Sequence, residues 1–142
     1  TNHEGVFVYE KGQIEKLSSF FFDFYIVDSG CNDSTEKMVE VFDLKDEESY
    51  LNDVFETFLL SYKSRDIAGV CNAMAKNQKL LEQSGVVDTR VSKFISELSV
   101  TAKVTGAGGI TNGSGAVLCI GKVTSLDREL IASYNFEIIY ES

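Results

Sequence analysis

Ala102-Lys103-Val104-Thr105-Gly106-Ala107-Gly108-Gly109-Ile110-Thr111-Asn112-Gly113-Ser114-Gly115 holds five of the chain's eleven glycines, and the β-prone run Ala116 to Ile120 follows it at once. The pattern predicts strand, glycine loop, strand. A loop this bare exposes backbone N–H groups and has few side chains to obstruct a close approach. Such a loop suits a phosphate or another anion, and it equally suits a long flexible hairpin. Two common nucleotide loops are excluded. Gly121-Lys122 is followed by Val123 and lacks the upstream glycine of G-x-x-x-x-G-K-[ST]. After Gly106 and Gly108 the third position of G-x-G-x-x-G is Thr111, and a strand rather than a helix follows.

Outward from the loop, the pattern is that of a mixed fold. Val6-Phe7-Val8-Tyr9 and Gln13-Ile14-Glu15-Lys16-Leu17, joined at Lys11-Gly12, predict a β-hairpin. Phe20 to Val27 is apolar except for Asp23 and predicts a central strand buried on both faces. A loop, Asp28 to Asp33, leads into a helix start at Ser34-Thr35-Glu36, with Asp33 or Ser34 as its N-cap. Glu48 to Tyr62 places Leu51, Val54, Phe55, Phe58 and Leu59 on one helical face. Asp66 to Gln83 does the same with Ile67, Val70, Cys71, Met74, Leu80 and Leu81, and Gly85 is its stop. Asp88 caps a helix from Thr89 to Leu98. A short helix from Leu126 to Ala132 and a strand from Phe136 to Tyr140 complete the chain. Strands at both ends of a helical middle predict one α+β domain over residues 1–142, an antiparallel sheet covered by helices on one face.

Composition narrows the function. The chain has 142 residues, 44% hydrophobic and 25% charged, enough for a substantial core. A net charge of −9 repels a polyphosphate backbone, so nucleic acid is not an expected partner. No apolar run approaches the roughly 20 residues of a membrane span, and no membrane partner is expected. Three widely spaced cysteines, Cys31, Cys71 and Cys119, fit a reducing, cytoplasmic compartment. Cys71 and Cys119 read as core residues and Cys31 as an inert loop thiol. His3 is the sole histidine, which argues against a histidine-based zinc site.

Val104-Thr105-Gly106-Ala107-Gly108-Gly109, with Lys103 before it, resembles the C-terminal glycine motif of the GHMP small-molecule kinases, K-x-T-G-A-G-G-G-G-C, and among them is most similar to that of the mevalonate kinases. Further pieces resemble the family in the same order. Gly5 to Gly12 is similar to its G-G-x-I-x-F-x-x-G hairpin, Asp28-Ser29-Gly30 with Ser34-Thr35 to D-T-G…S-T, and Asn77-Gln78-Lys79-Leu80-Leu81 with Gly85-Val86 to N-x-x-L-L…G-V-S. In this chain Ile110-Thr111-Asn112 interrupts the glycine run and lengthens the loop, and Asp33 stands where a basic residue often precedes the S-T pair.

The resemblance implies a ferredoxin-like C-terminal domain of such a kinase, with an N-terminal lobe of the same protein as its partner. The main phosphate loop and the catalytic aspartate would lie upstream, so no catalytic residue is expected in this chain. ATP and Mg²⁺ would be the cofactors and a small hydroxy acid the substrate. Thr105, Gly106, Ala107, Gly108 and Gly109 are the expected phosphate-binding residues, and Asp28, Ser34 and Thr35 the expected substrate-proximal ones. The residues alone favour a helix cap for Ser34-Thr35 and a carboxylate bonded to its own loop for Asp28, and a place near substrate rests on the resemblance. Phosphomevalonate kinase, diphosphomevalonate decarboxylase, or an acidic α+β ligand-binding module without catalysis stay open as readings, as does a homodimer.

Overall fold

Why Phe24 starts a strand and Phe21 does not is decided by what each meets. A computed structural model describes residues 7–10, 13–16, 21–30, 48–105, 109–110 and 113–142. Six strands are described: β1 (Phe7–Glu10), β2 (Gln13–Lys16), β3 (Phe24–Asp28), β4 (Ala102–Val104), β5 (Ala116–Ile120) and β6 (Glu137–Glu141). Four helices accompany them: α1 (Glu48–Lys63), α2 (Ile67–Gln83), α3 (Thr89–Glu97) and α4 (Ser125–Ser133). β1 and β2 form the expected antiparallel hairpin, with Phe7 opposite Lys16. The other four strands form one antiparallel sheet in the order β4-β5-β3-β6. The architecture is α+β, as expected. The helix expected to start at Ser34, together with Cys31, His3 and Leu17 to Phe20, lies outside the described residues.

β3 is central, but it is shorter than its apolar run. Tyr25 and Val27 are buried at 1% and 0% exposure, whereas Phe24 and Ile26 are only half-buried. The expectation of a strand from Phe20 buried on both faces is therefore corrected. Phe21 and Phe22 leave the ladder and stand edge-on to Tyr62, their ring centroids 5.2 and 6.2 Å from it. One continuous apolar run thus serves two cores, which periodicity cannot reveal.

The larger core lies on the sheet face carrying Tyr25, Val27, Ala102, Val104, Val117 and Cys119, against Val91 and Phe94 of α3 and Ile131 of α4. Alternation along a strand explains the selection, since every second residue shares a face. Phe94 is fully buried and meets Tyr134 and Phe136 edge-on at 5.2 and 4.9 Å. The smaller core joins Tyr62 of α1, Val70 and Met74 of α2, and Ile120 of β5. α1 and α2 approach closely because Gly69 has no side chain, a Cβ there falling 2.3 Å from the Ser61 hydroxyl oxygen. The expected apolar faces are partly corrected: Phe55 and Ile67 are 46% and 41% exposed. Phe55 is one residue on from buried Val54, which turns it about 100° around the helix from the side α2 covers.

Helix starts follow their caps. The Asp66 side chain accepts from the Gly69 amide, Asp88 from the Arg90 amide, and Thr124 from the Asp127 amide. β4 is an edge strand, and α2 protects that edge. The buried Gln78 accepts the Val104 amide at 2.8 Å through Oε1 and donates through Nε2 to Glu82 at 2.9 Å.

Two acids in the larger core make stability depend on alkaline pH. The Tyr25 hydroxyl lies near the Cys119 thiol and Asp127 carboxylate, but no hydrogen bond of ordinary geometry holds it. Burial raises its pKa from 10.0, and burial raises that of Cys119 from 9.0 to about 12. The unfolded chain therefore loses these protons at a pH where the folded chain keeps them. The contribution of these two groups is fully present below pH 9.0 and falls above it, at about 1.4 kcal/mol per pH unit from Cys119 and, above pH 10.0, by a similar amount from Tyr25. Urea midpoints across this range are expected to decline, and Cys119→Ala to make the first part of the decline shallower. A midpoint that stays level up to the ordinary tyrosine pKa and beyond contradicts this account.

Candidate functional site: a pinned glycine loop

The loop between β4 and β5 emerges at one end of the sheet, where three segments meet. β4 gains one more rung, because the Thr105 amide and hydroxyl both donate to the Ala116 carbonyl, at 2.9 and 3.0 Å. Ala116 is in register with Asp28 at the end of β3. Thr105 and Asp28 are therefore brought to the same sheet end as the loop. The Gly109 amide donates to the Val86 carbonyl at 2.9 Å, and Gly109 forms a parallel bridge with Val87.

On its return the loop is fastened again. The Gly113 amide donates to Asp88 Oδ2 at 3.0 Å, and the Ser114 amide to the Ser29 hydroxyl at 3.1 Å. The Ser114 hydroxyl donates to the Gly109 carbonyl at 2.8 Å and accepts from the Asp88 amide at 2.9 Å. Ser29 donates both its amide and its hydroxyl to the Gly115 carbonyl, at 2.9 and 2.7 Å. Three loop glycines and serines are fully covered: Gly113, Ser114 and Gly115 are buried. The described part of the segment is thus no free hairpin. It is framed by the end of β3 and by the α2–α3 connection.

Of the expected site residues, Thr105, Gly109 and Asp28 are described, and all three lie at this end of the sheet. Gly106, Ala107, Gly108, Ser34 and Thr35 lie outside the described residues. The amide of Gly109 is engaged with Val86, and the Asp28 carboxylate accepts the Gly30 amide at 2.9 Å, a bond within its own loop. Lys103, half-buried on β4, donates to the Val104 carbonyl at 2.7 Å, and burial lowers its pKa. Among the described residues, no group of three or more His, Cys, Asp or Glu is arranged to hold a metal ion. No described helix is long and apolar enough to cross a membrane.

Ser29, Val86, Asp88 and Ser114 are the residues that reading the sequence missed as loop anchors. Asp88 was legible as a helix cap, but only one of its oxygens serves the helix. The other holds Gly113. Asp88→Asn separates the two roles. Its Oδ1 still caps α3, while its amide group faces the Gly113 N–H, donor against donor. The expected loss is about 1–3 kcal/mol in chemical denaturation, the penalty of an unsatisfied buried amide. A variant as stable as the parent contradicts the anchoring role.

The fold has likenesses among solved structures. Over 92% of its length the chain matches 41% of a Lin0012 protein from Listeria innocua, with a TM-score of 0.70 and 16% identity. Over 90% of its length it matches 43% of L. major mevalonate kinase, solved in complex with R-mevalonate, with a TM-score of 0.63 and 18% identity. The fold is like that of the matched part of this mevalonate kinase. At these identities the likeness is one of fold, and the chain spans only about two fifths of each of these structures. No protein-family model and no curated protein matches it. In this chain the segment bearing T-G-A-G-G lies between two neighbouring antiparallel strands, β4 and β5.

Proposed function

We propose that residues 1–142 form the C-terminal lobe of a GHMP-type small-molecule kinase, most like mevalonate kinase. The observation that carries this reading is the likeness of fold to L. major mevalonate kinase combined with Lys103-x-Thr105-Gly106-Ala107-Gly108-Gly109 on the β4–β5 connection. The whole protein would transfer the γ-phosphate of ATP to the hydroxyl of a small hydroxy acid in the cytoplasm. In phosphoryl transfer the charge sits on phosphate oxygens, and catalysis is mostly positioning and electrostatic stabilisation. Backbone amides of Gly106 to Gly108 supply donors without adding charged side chains. The Gly109 amide, bonded to Val86, fixes where that run of donors ends. Asp28, Ser34 and Thr35 stand on the substrate side of this reading. Mg²⁺ would accompany ATP, bound to its phosphates. The partner is the N-terminal lobe, which supplies the main phosphate loop and the base.

Two assays decide. The whole protein, given ATP, Mg²⁺ and R-mevalonate, is expected to release ADP, and residues 1–142 alone are expected to release none. ADP from the isolated chain contradicts the incomplete site. No ADP from the whole protein with mevalonate, phosphomevalonate or diphosphomevalonate sinks the kinase reading and leaves a ligand-binding module.

A further inference from the structure

α2 and α3 do not pack against each other: α3 buries Val91 and Phe94 against the sheet, α2 packs on α1 and β4, and each leaves a polar stripe uncovered. Ala75, Gln78, Lys79 and Glu82 on α2, and Thr89, Ser92, Lys93 and Ser96 on α3, each follow i, i+3, i+4, i+7 spacing, and both stripes line one open groove of about 580 Å³. That volume is in the range of small-molecule sites. Ile95, Val100 and Ala102 also line the groove and supply apolar surface to it.

The charges in the groove are unbalanced. Its one carboxylate, Glu82, accepts a hydrogen bond from Gln78 rather than from a lysine. No ion pair with a described carboxylate holds Lys79 or Lys93, and both are exposed. Lys79 also borders a neighbouring hollow of about 320 Å³ with Lys76. On a chain of net charge −9, this concentrates cations along one helix pair. Gln78, at the floor, is immobilised by its two bonds, so the groove is built on a fixed base that touches β4 one residue before Thr105.

We infer that the α2–α3 groove binds a small phosphate monoester carrying a short apolar body, its phosphate between Lys79 and Lys93 and its body against Ile95 and Val100. Two ammonium groups from different helices suit a dianion, and lysine acts as a point charge toward phosphate. The site is separate from the glycine loop and does not depend on the kinase reading.

The test is a titration of the ¹⁵N-labelled chain at constant ionic strength with n-butyl phosphate, inorganic phosphate and n-butanol. Saturable shifts are expected at the amides of 92–96 and 101–102. Butyl phosphate should bind about tenfold tighter than inorganic phosphate, because its alkyl body is buried. The exposed pair Lys79→Gln with Lys93→Gln should weaken it at least about tenfold with no change in melting midpoint. The inference is overturned by no saturable shift at those amides, by shifts confined to 105–115, by equal binding of n-butanol, or by an affinity that the double substitution leaves unchanged.

Discussion

Gly108→Val in the whole protein is expected to abolish phosphoryl transfer while the lobe itself stays folded. A valine at this position places a branched side chain where the proposal requires backbone amides to approach phosphate oxygens. Loss of even one donor preorganised for developing charge lowers turnover by about 10²- to 10³-fold in well-studied enzymes, and here several neighbouring donors are displaced together. The expected loss is therefore about 10³-fold or more in kcat. The measurement is steady-state ADP release by the purified whole protein, with circular dichroism and melting of residues 1–142 as the folding control. Turnover within a few-fold of the parent would remove the glycine loop from the active site, and with it the role proposed for Gly106 to Gly108.

Gly113→Ala is expected to act on the fold instead. Gly113 has φ +114°, and a Cβ there would lie 2.1 Å from the Ser29 carbonyl oxygen and 2.8 Å from Gly30 Cα. Both obstacles are backbone, so no side chain can swing aside. Residues without a β-carbon are almost alone in adopting such a φ, and the strain of forcing another residue into it is about 1–3 kcal/mol. Overpacking against the end of β3 adds a similar amount. A loss of about 4 kcal/mol, or roughly 10 °C in melting midpoint for a chain of this size, is the expected outcome. The mechanism also predicts which bonds go first. Moving Gly113 outward strains its amide bond to Asp88 and the Ser114–Ser29 bond beside it, so hydrogen exchange should quicken at 113–115 before it quickens in the sheet. A melting midpoint within a degree or so of the parent contradicts the close approach of the loop to β3.

These two glycines show what was legible and what was not. That Gly108 belongs to a T-G-A-G-G run can be read directly, as can the strands on either side. The caps are equally local: Asp88 was identifiable because an N-cap is a contact between a residue and the amide two or three positions on. Helices α1 to α3 lie within a residue or two of their expected ends for the same reason, since apolar spacing, caps and stops all act within a few turns. That Gly113 must be a glycine is not local. It follows from Ser29, more than eighty positions away, and nothing near Gly113 announces it.

The amino-acid sequence by itself determined the α+β class, the order of strands and helices, and the glycine loop between β4 and β5. These depend on residue spacing and on bonds that close within a few turns. Only the tertiary structure decided that Phe21 and Phe22 desert β3 for Tyr62, that Phe55 faces solvent, and that the loop is pinned by Ser29, Val86 and Asp88. It alone placed the polar stripes of α2 and α3 on one groove. The physical reason is common to all four. Each depends on which distant surface a side chain or amide meets, and an apolar run or a spare carboxylate oxygen carries no record of its partner until the chain has folded.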